Sequence, residues 1–288
     1  MVAVMTNLRS TAGLILGVLA LLAGCSSTST LPGASGTGTS TVAPSNTSAS
    51  TDAASTGEAS TGVVPTGATT ASASGMHRMD AFTVDGMVID FAVVEPDGFK
   101  AGDVHPVLLA MPPGGQDRQT TEDVVDRRWA AEARRLGWVV ISPVAPASGL
   151  YYEAASARLI PGLLDALAAR YPAEGGKPHL AGISNGGLSA FRIALDRPDR
   201  FLSLSTLPGY PPEPADAGHL DVLKAMPVAL YVGGDDSGWR EESEKTSAAL
   251  KGLGATVTLD VVAGDDHFLR DLTNEQVFAA LESFRHRA

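Results

Sequence analysis

Residues 76–288 predict an α/β domain, a mostly parallel, twisted sheet of about eight strands with helices on both faces. Three observations carry that expectation. A hairpin signal leads the segment, short apolar runs come after it, and amphipathic stretches of a dozen or more residues lie between the runs.

The hairpin is read in DAFTVDGMVIDFAVVEP (80–96), where apolar and polar residues alternate on both sides of Asp85-Gly86, a pair suited to a two-residue turn. The runs PVLLAMP (106–112), GWVVISPV (137–144), PHLAGIS (178–184), FLSLSTL (201–207), PVALYVG (227–233) and ATVTLDVVAG (255–264) have the form of strands buried in a parallel sheet. Between them, TTEDVVDRRWAAEARRLG (120–137) opens with a Thr-x-x-Asp cap at Thr120 and closes at Gly137. EAASARLIPGLLDALAARYP (153–172) is apolar at helical spacing, with Pro161-Gly162 marking a kink or a late start. Further helical patterns begin after Ser184, Ser237 and Leu272, and no internal repeat is present.

The N-terminal quarter has a different texture. Residues 1–24 read as a leader, with Arg9 as the only charge before the 11-residue apolar run LILGVLALLAG, which is too short to span a bilayer comfortably. LAGC, ending at Cys25, matches the lipobox of bacterial lipoproteins, in which the thiol is acylated and the chain is cut before it. Cys25 is the only cysteine, so an exported chain has no internal disulfide to make and lipidation accounts for it. Residues 26–75 are almost wholly Ser, Thr, Ala, Gly and Pro, with only Asp52 and Glu58 charged. Such a segment buries nothing and is expected to be a disordered tether reaching about 40 Å. The expected location is the cell membrane, lipid-anchored on its extracytoplasmic face. Without Arg9 the charge is 20 − 32 = −12, and no basic stripe stands against it, which excludes a nucleic-acid partner.

Gly182 to Gly186 form a G-x-S-x-G pattern around Ser184. With 31 Gly and 24 Ser in 288 residues, chance alone supplies roughly 0.3 such matches, so the setting has to decide. Ser184 falls between a predicted strand and a predicted helix, where a strained turn exposes a nucleophile beyond the carboxyl ends of the strands. A serine hydroxyl needs a base. Of the six histidines only His267, in VVAGDDHFLRDL, comes after a predicted strand and so projects on the same edge. A carboxylate must orient it, and YVGGDDSGW supplies Asp235 or Asp236 at another strand end, 52 residues after Ser184 and 31 before His267 for the second of them. Two backbone N–H groups are needed for the oxyanion: Asn185 is next after the nucleophile, and MPPGGQDR contributes Gly115 or Gln116.

These residues resemble the α/β-hydrolase superfamily, and within it the small lidless esterases of the polyhydroxybutyrate-depolymerase and feruloyl-esterase group. The resemblance covers about residues 80–285 and rests on GISNGG, GGLSAFRIALDRPDRF, VGGDDSGW and GDDHF. In relatives the acid is often the fourth residue of a Gly-x-x-Asp turn, which implies Asp236 here. Many relatives carry His-Gly before the oxyanion residue, where this chain has Pro113-Gly114. The resemblance implies an α/β-hydrolase fold and a serine esterase acting on a small-molecule or polymer ester, with Ser184, His267 and Asp236 catalytic, Gly115 and Asn185 as oxyanion donors, and no metal or organic cofactor. The segment between FLSLSTL and PVALYVG, about twenty residues, is too short for a lid domain. Tyr210, Trp239 and Phe268 lie near the site in sequence. A peptidase of the same fold, a non-catalytic binding lipoprotein, and a metal site built on Asp235, Asp236, Asp265, Asp266 and His267 are the competing readings.

Overall fold

A computed structural model describes residues 75–285. The leader, Cys25 and the Ser/Thr-rich segment to residue 74 lie outside the described residues, as does the tail from His286. β1 (Arg78–Val84) and β2 (Met87–Val94) form the hairpin, closed at Asp85 (φ 50°) and Gly86 (φ 78°), two successive positive φ angles that match the right-handed twist of the strands. The remaining strands are β3 (Val107–Met111), β4 (Val139–Pro143), β5 (His179–Gly182), β6 (Leu204–Thr206), β7 (Val228–Gly233) and β8 (Val257–Val262). The eight strands lie in the order β1-β2-β4-β3-β5-β6-β7-β8. β1 and β2 pair antiparallel, β2 meets β4 antiparallel, and every later pairing is parallel. After β4 the chain crosses to the other side of β3 to form β5. The order therefore reverses at β3, and the crevice beyond its carboxyl end is where such sheets bind ligands.

The helices are α1 (Arg118–Val124), α2 (Ala130–Leu136), α3 (Ala154–Ala157), α4 (Ile160–Leu167), α5 (Asn185–Asp196), α6 (Pro214–Ala217), α7 (Ser237–Gly252) and α8 (Asn274–Arg285). α1 starts earlier than the sequence suggests. Its cap is Asp117, whose side chain accepts from the backbone N–H of Thr120 at 2.9 Å, in place of the expected cap at Thr120. An Asp with extended backbone satisfies the orphan donors equally well, and it lies first in the chain. A π-helical turn, Val125–Trp129, joins α1 to α2. Pro161 sits in the first turn of α4, where its missing N–H costs nothing, so the long stretch divides into α3 and α4.

Alternation along the strands builds two cores. Leu109, Met111, Val139 and Ile141 face α4, α5 and α7 residues such as Leu163, Phe191 and Leu250. Leu108, Ala110, Trp138 and Val140 face Trp129, Phe278 and Leu281 from the π turn and α8. The sheet is thus covered on both faces. Between β6 and β7 stand only α6 and a 3₁₀ turn, Leu220–Leu223, with no lid domain.

Candidate active site

β5 stops at Gly182 because the backbone must turn at once into α5. Ser184, at the turn, has φ 56° and ψ −120°, outside the wells favoured by L-residues. The close approach around it requires glycine at two positions. A Cβ on Gly182 would stand 1.9 Å from the Gly186 carbonyl oxygen, and one on Gly186 would stand 2.1 Å from the Met111 carbonyl oxygen. The turn is pinned by Ser184 N–H donating to the Pro208 carbonyl at 3.1 Å, and the Ser184 carbonyl accepts from Gly187 at 2.7 Å.

The serine Oγ lies 2.8 Å from His267 Nε2, and His267 Nδ1 lies 2.6 Å from Asp236 Oδ2. An ionised carboxylate can only accept, so Nδ1 carries the proton toward Asp236 and Nε2 is left to accept from the serine hydroxyl. Asp236 sits after β7 at the start of α7, and His267 lies in the loop after β8, so three strand ends converge. Asp235, one residue earlier, is exposed, and its backbone N–H bonds the Asp265 carbonyl at 2.9 Å. The Asp236 side chain is 13 % exposed and that of His267 30 %.

Two residues that the sequence did not single out for this purpose hold the histidine loop. The buried Asp265 accepts from the backbone N–H of Asp266 at 3.1 Å and of Asp271 at 2.9 Å. Arg128, from the π turn, donates to the carbonyls of Leu269 at 3.2 Å and Leu272 at 2.6 Å. No signal in the sequence joins Arg128 to a loop more than 140 residues later.

Of the two oxyanion candidates in MPPGGQDR, Gln116 is set aside, for its backbone N–H already donates to the Pro113 carbonyl at 3.0 Å. Its buried side chain instead braces the loop, donating to the Pro112 carbonyl and Ser189 Oγ and accepting from Tyr151 N–H. The N–H groups of Gly115 and Asn185 carry no hydrogen bond among the described residues. The Asn185 side chain donates to the Gly114 carbonyl at 2.9 Å and ties the two loops together.

The acids expected at a metal site have other engagements. Asp236 meets His267, Asp265 holds its own loop, and Asp266 pairs with Arg270 at 2.5 Å, the Phe268 N–H together with the guanidinium keeping its carboxyl below the usual range. Among the described residues no three His, Cys, Asp or Glu are grouped to hold an ion. The other described histidines stand away from Ser184: His77 bonds Asp126, His105 the Gly137 carbonyl and His179 Ser203, while His219 precedes the 3₁₀ turn. Rings surround the imidazole. Trp239 lies 4.8 Å from it between centroids, Tyr210 4.9 Å from Trp239, and the exposed Phe268 6.1 Å from the imidazole. An open cavity of about 740 Å³ adjoins Ser184 and His267, with Gly114, Thr120, Val124 and Phe268 in its wall.

The sequence profile of the Esterase family matches residues 89–285. The search of curated proteins gives no match. Among solved structures the chain is similar to a thermostable esterase (15 % identity, TM-score 0.56), covering 65 % of this chain and 55 % of that one. It is also similar to an S-formylglutathione hydrolase from Agrobacterium tumefaciens (19 % identity, TM-score 0.55; 74 % of this chain, 96 % of that one). An esterase from Rhizomucor miehei aligns at 17 % identity and TM-score 0.55, over 73 % of this chain and 82 % of that one. At these identities the structural likeness speaks for the fold, and the family match, covering most of the chain, speaks for kinship. The chain belongs to the esterase family, serine esterases built on the α/β-hydrolase fold.

Proposed function

We propose that this chain cleaves carboxylic esters outside the cytoplasm, tethered to the membrane through a lipid on Cys25. Ser184 Oγ attacks the ester carbonyl as His267 Nε2 takes its proton. Asp236 holds the ring and balances the imidazolium, and the N–H groups of Asn185 and Gly115 receive the developing oxyanion. The imidazolium then protonates the leaving alcohol. Water, deprotonated by the same imidazole, adds to the acyl carbonyl and releases the acid and free Ser184. The observation that carries the reading is the hydrogen-bonded line Ser184–His267–Asp236, at 2.8 and 2.6 Å, on a strained strand-to-helix turn.

The test is fluorophosphonate labelling of the full chain in detergent, with and without Ser184→Ala and in EDTA. Labelling of the parent chain alone supports the nucleophile, and an unlabelled parent chain overturns it. The tether rests on LAGC and the lone cysteine. Incorporation of a labelled fatty acid, abolished in Cys25→Ser, is the expected result, and equal incorporation in the variant would refute it.

A further inference from the structure

The cavity beside Ser184 differs in charge from the rest of the molecule. The chain carries a net −11, yet among the described residues no carboxylate lines this cavity, and its arginines are Arg127, Arg128 and Arg270. Arg128 is half-buried and among the described residues hydrogen-bonds only neutral oxygens, the carbonyls of Leu269 and Leu272 and, at 3.2 Å, Asn274 Oδ1. The acid that influences it, Asp265, accepts from two backbone N–H groups with its carboxylate. Burial accordingly holds the Arg128 pKa below the arginine range, as for a cation whose charge is incompletely met. Arg127, beside it on the π turn, donates from Nε to the Asp123 carbonyl at 3.1 Å and stands 3.9 Å from the Asp123 carboxylate, with its side chain 78 % exposed. Arg270 is different, being paired with Asp266 and lying 5.0 Å from the Phe268 ring. Val124, Ile183 and Leu269 give the same cavity an apolar lining.

A half-buried guanidinium whose charge is incompletely compensated costs stability that a ligand anion restores, and it stands in the cavity that adjoins the nucleophile. We propose that this cavity recognises an ester whose chain ends in an anionic group, a carboxylate or a phosphate, with the apolar part of the chain on Val124, Ile183 and Leu269 and the anion between Arg127 and Arg128. The inference rests on Ser184 being the nucleophile. It names the substrate class, an anionic ester, that the cavity selects over a neutral one of equal length.

The test compares kcat/KM of the full chain in detergent for three p-nitrophenyl esters of matched length: valerate, hemiglutarate, and 4-phosphonobutyrate, each corrected for its spontaneous hydrolysis. The anionic esters are expected to be favoured about tenfold at low salt, mainly through KM, and the preference to shrink as salt shortens the Debye length. Whichever of the two anions gains more identifies the group. Arg127→Gln is expected to lower the anionic-to-neutral ratio about three- to tenfold, whereas Arg197→Gln, a surface arginine paired with Asp199, leaves the ratio in place. Arg128→Gln should act like Arg127→Gln, and if it fails to fold the Arg127 variant and the salt series still decide. A ratio near one in the parent chain, with the valerate cleaved, overturns the anion subsite and leaves the esterase reading intact. An intact ratio in Arg127→Gln also overturns it. Failure to cleave any of the three esters, together with absent fluorophosphonate labelling, overturns the esterase reading and this inference with it.

Discussion

Replacing Ser184 by glycine and, separately, by alanine measures the strain stored in the turn. Both changes remove the hydroxyl and its 2.8 Å contact with His267, so the difference between them isolates the Cβ. At φ 56° and ψ −120° a Cβ-bearing residue costs about 1–3 kcal/mol. Glycine relieves that but loosens the unfolded chain, which costs about 0.4–1 kcal/mol. Ser184→Gly is therefore expected to be more stable than Ser184→Ala by about 1 kcal/mol. For a domain of this size that is roughly 2–4 °C in Tm, readable by calorimetry and by the midpoint of urea unfolding at constant m. Both variants should be equally inert toward p-nitrophenyl esters. A glycine variant less stable than the alanine one would refute the claim that the fold holds this residue against its preference.

Gly186→Ala places a methyl 2.1 Å from the Met111 carbonyl oxygen, with backbone on both sides, and is expected to cost about 1–3 kcal/mol and at least about a hundredfold in kcat by displacing the turn; an unchanged Tm and rate would sink that argument. Asp236→Asn keeps the size of the side chain but favours the wrong imidazole tautomer, so kcat should fall about 10³–10⁴-fold while circular dichroism stays that of the parent. Gln116→Ala leaves the Tyr151 N–H and the Pro112 carbonyl without their partner and should cost about 1–3 kcal/mol in denaturant unfolding, with a drop in kcat as the oxyanion loop loosens. Burial lowers the His179 pKa from 6.5 to about 4, so the unfolded chain binds more protons between those values. Its contribution is fully present above pH 6.5 and lost as pH falls toward 4, by about 3 kcal/mol. His179→Gln should flatten the Tm profile in that window, and an unaltered slope would count against the assignment.

The strand order along the chain, the hairpin at Asp85-Gly86 and the helices between strands were legible because each depends on a local period or a turn residue. The placement of Ser184 and His267 beyond strand ends was legible for a related reason. Each comes directly after a short apolar run, and parallel strands of one sheet all end at the same edge, so the residues at their carboxyl ends gather there. Misreadings arose where two local signals were equally good, as at Asp117 and Thr120, either of which can cap a helix.

By itself the sequence determined an α/β domain, the order in which Ser184, Asp236 and His267 follow its strands, and an N-terminal segment of different composition. Only the tertiary structure decided that Asp236 and not Asp235 reaches His267, that Gln116 has no N–H to offer, and that Asp265 and Arg128 hold the histidine loop. Neighbouring residues on a turn point in opposite directions, and a one-residue choice between them is made by contacts with elements far away in the chain. The Arg128 guanidinium and the Leu272 carbonyl, 144 positions apart, meet because the π turn and the segment after β8 pack into one core, which holds Trp129, Leu269 and Leu272.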